Sequence, residues 1–102
     1  MRPTMSHLAA IAIRTDALFA SPLQRSDEPS TTQVRQAVAA AVRQFGGRGC
    51  AGRVAFEFGD HPDLAAARMR WARRVVAETY GAPRLRESRD RRWAQHAVAR
   101  AA

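Results

Sequence analysis

The sequence predicts an all-α protein: a small three-helix domain, helix-turn-helix-like, with an amino-terminal arm and a basic carboxy-terminal tail. Three observations carry that expectation. Ser30-Thr31-Thr32-Gln33 has the form of a capping box and opens a stretch of helical apolar spacing. Gly59-Asp60-His61-Pro62 reads as a turn between two helices. The residues after Pro62 separate, at helical spacing, into an apolar face and an Arg face. The expected divisions are residues 1–30 as a partly ordered arm, 31–82 as the three-helix domain and 83–102 as an Arg-rich tail.

In the arm, Thr15-Asp16 can start a one-turn helix through Ala20, which Pro22 curtails. Leu18, Phe19 and Leu23 are too apolar for a wholly solvated segment, so this piece is expected to dock on the domain. Residues 24–30 are polar and turn-like. The first domain helix begins at the capping box and stops at Gly46-Gly47. Val34, Val38, Ala41, Val42 and Phe45 fall within one arc of about 140°, with Arg35, Gln36 and Arg43 facing away.

The second helix, about Gly49 to Phe58, is weakened by Gly49 and Gly52. Cys50, Val54 and Phe58 share its expected buried arc with Ala51 and Ala55, while Phe56 points outward between Arg53 and Glu57. Such a Phe is more often a contact for the arm or a second copy than a site. Gly59 is expected as a C-cap and Asp60 as the N-cap of the third helix, with Pro62 and Asp63 in its first turn.

The third helix should run to about Tyr80, ended by Gly81-Ala82-Pro83. Its apolar arc holds Leu64, Ala65, Met69, Ala72, Val75 and Val76, with Trp71 at the edge, and Arg70, Arg73 and Arg74 lie opposite. Arg68 falls inside the apolar arc, where an unpaired charge is costly. It is expected to reach Glu57 or Asp60, or to emerge at an interface. In the tail, the residues from about Trp93 to Arg100 can form a short helix.

The chain has 102 residues and a mass of 11.3 kDa, enough for one small domain. Much of its 46% hydrophobic content is Ala, so the core depends on a few large side chains and the monomer is expected to be marginally stable. Every one of the 17 basic residues is Arg, and the formal charge is +8. A GC-rich genome accounts for Arg in place of Lys, but the charge still favours polyanions. Half of it lies in residues 84–102, which carry six Arg against Glu87 and Asp90. A single Cys excludes an internal disulfide and fits a reducing compartment. No apolar run approaches the roughly 20 residues that span a bilayer, so a cytoplasmic setting is expected, with no membrane association.

The helix-turn-helix pattern is met by Ala55, Gly59 and Ala65, but Arg68 stands where an aliphatic residue belongs. The leading turn of the third helix would offer Asp63, Ala66 and Ala67 to a groove, which are poor readers of bases. Phosphate contact needs less. Arg70, Arg73 and Arg74, together with Arg84, Arg86, Arg89, Arg91 and Arg92, form the candidate nucleic-acid-binding set, weighed against their use as generic solubilising residues. Trp93 could stack on a base, though docking on the domain is the more usual role. Cys50 near a helix start could favour thiolate, but its phase points it inward, as a structural thiol. Glu57, Asp60, His61 and Asp63 match no metal-ligand spacing. No catalytic residue, metal or cofactor is expected, and no enzyme.

Leu18-Phe-Ala-Ser-Pro-Leu-Gln24, Val34-Arg-Gln-Ala-Val38 and, above all, Gly49-Cys-Ala51 with Glu57-Phe-Gly-Asp-His-Pro-Asp-Leu-Ala-Ala-Ala-Arg-Met-Arg-Trp-Ala72 resemble segments of short, uncharacterised helical proteins of actinobacteria. The resemblance spans about residues 18–80. It implies a high-GC origin and a cytoplasmic setting, and it transfers no functional residue.

The favoured function is therefore a small cytoplasmic protein associated with double-stranded DNA, a transcriptional regulator in its sharpest form. The alternative is a helical protein-interaction module, dimeric or bound to another protein, that does not bind nucleic acid.

Overall fold

The computed structural model describes residues 4–81 as an all-α domain of three helices, α1 (Thr4–Ala20), α2 (Thr31–Asp60) and α3 (Pro62–Tyr80). A short 3₁₀ turn, Arg25–Asp27, lies between α1 and α2. Each helix packs on the other two.

The helix α1 replaces the expected one-turn segment. Its run Leu8-Ala-Ala-Ile-Ala-Ile13 contains no helix breaker and is rich in strong helix formers, so the turn at Thr15 extends backward. Ala17, Leu18 and Phe19 are core residues, in agreement with the expectation that this segment docks. Buried Thr15 is accommodated because its hydroxyl donates to the Ile11 carbonyl at 2.8 Å. Ser21 precedes Pro22 and ends the helix, its hydroxyl donating to the Leu18 carbonyl at 2.7 Å.

The capping box forms as expected. The Gln33 amide donates to the Ser30 hydroxyl at 3.1 Å, and the Gln33 side chain accepts from the Ser30 amide at 2.8 Å. Val34, Val38 and Ala41 are buried on the arc that follows. At Gly46 the backbone takes φ 69° and ψ 170°, a region open in practice only to glycine. The expected stop is thus a kink: the chain leaves the helix for one residue and resumes it. Across the kink the Cys50 thiol, fully buried, donates to the Ala41 carbonyl at 3.7 Å. Gly49 is needed there because a Cβ at that position would lie 2.9 Å from the Phe45 Cβ.

The corner between α2 and α3 differs by one residue from the expected turn. Gly59 and Asp60 remain helical, and His61 alone separates the two helices, without a side-chain cap. Pro62 supplies the reason, since it drives the residue before it out of the α region. His61 bridges the corner through its backbone, its amide donating to Glu57 and its carbonyl accepting from Ala65.

The core joins Leu18 and Phe19 of α1 to Val34, Val38 and Cys50 of α2 and to Met69, Trp71, Ala72 and Val76 of α3. Trp71 is buried rather than marginal. Leu64, expected inside, is 71% exposed and borders a hollow that Phe19, Ala20 and Ser21 also line. Ala51 and Ala55 are also exposed. Phe58 is 38% exposed, with its ring stacked on Phe19 at a centroid distance of 6.3 Å.

Candidate nucleic-acid interface

The outer face of α3 is fixed by what its inner face buries. Ala65, Met69, Ala72, Val76 and Thr79 are turned into the domain, so the residues opposite must face water. Arg70, Arg73 and Arg74 are all exposed there. Arg70 and Arg74 are one turn apart, and Arg73 completes a cluster about one turn long. None of the three makes an ion pair among the described residues. Asp16 of α1 interacts electrostatically with Arg73. Burial raises its pKa, and the Arg73 charge opposes that rise.

Several other Arg residues are engaged within the fold. Arg68 donates from Nε to the Phe19 carbonyl at 2.9 Å. Its Nη2 donates to the carbonyls of Leu18 at 3.3 Å, Ser21 at 2.9 Å and Leu23 at 2.8 Å. The expected pairing with Glu57 or Asp60 is therefore corrected: the partners are main-chain carbonyls at and just beyond the end of α1, where the negative end of that helix dipole lies. Burial lowers the Arg68 pKa, and Glu57 opposes that fall from a distance. The guanidinium lies 5.1 Å from the Trp71 ring and 5.6 Å from that of Phe19.

Arg35 does the same for α3, donating to the Thr79 carbonyl at 3.3 Å. Arg14 and Arg35 both lie over the Tyr80 ring, at 4.3 and 5.5 Å. Arg53 stacks on Phe45 at 3.7 Å. Sequence spacing did not reveal these roles, because each depends on a contact between helices or, for Arg53, across the kink in α2.

The leading end of α3 is uncovered: His61, Pro62, Asp63 and Leu64 are exposed. It is nonetheless acidic, with Glu57, Asp60 and Asp63 around it and the His61 ring near Glu57 (3.7 Å) and Asp60 (3.2 Å). These carboxylates would oppose the phosphates flanking a groove. The other candidate residues, Arg84, Arg86, Arg89, Arg91 and Arg92, lie outside the described residues, as does Trp93.

Cys50 is buried, and its thiol pKa is raised by burial first and then by Asp16, with Arg53 acting against both. Among the described residues no helix is long and apolar enough to cross a membrane, and no group of three metal-binding side chains gathers. Comparison with protein-family models, curated proteins and solved structures yields no match.

Proposed function

We propose that this protein associates with double-stranded DNA by holding phosphates on the outer face of α3, without reading bases. The supporting observation is the cluster Arg70, Arg73 and Arg74, exposed on one rigid helix with no ion-pair partner among the described residues. Guanidinium suits phosphate because its planar fork donates two parallel hydrogen bonds. The acidic leading turn argues against insertion of that end into a groove. Arg84, Arg86, Arg89, Arg91 and Arg92 add sequence-independent attraction in this reading, which places the protein in the cytoplasm with its DNA.

Fluorescence anisotropy of a labelled random duplex, titrated at several salt concentrations, tests the proposal. Full-length protein should bind at low salt. Each phosphate contact contributes about 0.9 to the slope of log K against log salt, so R70Q/R73Q/R74Q should flatten that slope by about 2.7. A second variant carries Gln at the five Arg positions of residues 84–92. Unchanged binding by the first variant with complete loss in the second would remove α3 from the interface. Absence of wild-type binding at low salt would overturn the DNA reading.

A further inference from the structure

We propose that the outward ridge of the second half of α2 is a two-fold self-association surface, on which a second copy of this chain docks antiparallel. Arg48, Gly52, Phe56 and Asp60 recur every four residues and so form one continuous ridge along the helix. All four are exposed. Phe56 is 68% exposed and borders a hollow of about 410 Å³ formed with Gly49, Gly52, Arg53 and Glu57. A Cβ at Gly52 would meet no atom within 4 Å, so the ridge has a notch one turn before its knob.

Knob and notch on one helix are self-complementary, which is what an isologous interface requires. With a two-fold axis at the level of Val54, each Phe56 enters the notch at Gly52 of the other copy. The same axis brings Arg48 of each copy level with Asp60 of the other, because both pairings share that midpoint. Gly49 then lies level with Gly59, where the absence of side chains allows close approach of the helices. The charge match supports the choice of a second copy as occupant. Arg48 has no ion-pair partner among the described residues, and Asp60 is exposed with only the His61 ring, at 3.2 Å, against it. Packing of such ridges between two helices favours a crossing near −50°.

Half a helix covers less than the roughly 800 Å² per partner of a stable interface. The dimer is therefore weak and concentration-dependent. This inference is independent of the DNA reading, and its test contains no nucleic acid.

Sedimentation equilibrium of the full-length chain, from low micromolar to near-millimolar concentration, should show a reversible monomer–dimer equilibrium. Gly52→Leu fills the notch and should abolish the dimer. Its Tm at low concentration should not fall, because the new side chain meets open space in the monomer. Phe56→Ser removes the knob and should have the same effect on association. Arg48→Asp should weaken the dimer several-fold, and R48D/D60R should restore it. A wild-type chain that stays monomeric overturns the proposal and leaves the ridge to another protein or to residues 82–102. A dimer that survives both Gly52→Leu and Phe56→Ser overturns it equally.

Discussion

Arg68 illustrates how an apparent error in an amphipathic pattern becomes a structural requirement. Its four carbonyl partners, in Leu18, Phe19, Ser21 and Leu23, are all main-chain groups at or beyond the end of α1. A sequence pattern shows a misplaced charge but lists only side chains as possible partners. The acceptors become visible only once the end of α1 is known. We expect Arg68→Leu to lower unfolding free energy by roughly 2–4 kcal/mol in urea titrations, since charge-assisted bonds are lost and polar groups are left unpaired. Arg68→Lys should recover little, because a point charge cannot span four carbonyls as the guanidinium fork does. Asp16 offers a check with opposite sign. Burial raises its folded pKa, so its ionisation disfavours folding: stability is highest below the unfolded value near 3.8 and declines as pH rises through the folded value. Asp16→Asn should therefore raise Tm at neutral pH and have no such effect in acid, as thermal scans across pH would show.

At the scale of elements, local chemistry was the legible part. The capping box at Ser30 and Gln33 forms as read because it depends on residues within one turn. Gly46-Gly47 marks where the helix was expected to stop, and the chain departs from helix there at Gly46 alone. What followed the interruption depended on packing, since Cys50, Ala41 and Phe45 meet across the kink. The turn at Gly59-Asp60 moved to His61 because the restriction that Pro62 places on its predecessor outweighed two favourable capping residues. Three glycines of α2 should then respond differently to Ala in chemical denaturation. Gly46→Ala should cost about 1–3 kcal/mol, as the required backbone region excludes a Cβ. Gly49→Ala should also destabilise, by forcing Phe45 aside. Gly52→Ala should stabilise by about 0.8 kcal/mol, the helix-propensity difference with no new contact. Equal effects at all three positions would show that the kink is not held in solution.

For the whole molecule, the decisive question is whether α1 is an accessory or part of the core. Reading residues 1–30 as an arm follows from Pro22 and the polar stretch after it; the length of α1 follows from the helix-forming run at residues 8–13, whereas its place in the core depends on contacts with distant residues. Leu18 is fully buried, and Arg68 of α3 ties the end of α1 to the remaining helices. Candidate-site residues show the same division: the outward phase of Arg70, Arg73 and Arg74 followed from periodicity, whereas the internal use of Arg14, Arg35 and Arg53 required the folded arrangement. If α1 is integral, Leu18→Ala should cost about 2–5 kcal/mol, the range for truncating a buried Leu. More tellingly, it should shift the whole unfolding transition. Trp71 is buried on α3, far from residue 18 in sequence, and can report this in a Trp93→Phe background. Its fluorescence midpoint in urea should fall together with the far-ultraviolet helical signal when Leu18 is truncated. In an arm merely laid on a two-helix domain, Trp71 would keep its midpoint while part of the helical signal was lost earlier. Coincident transitions would place all three helices in one cooperative unit.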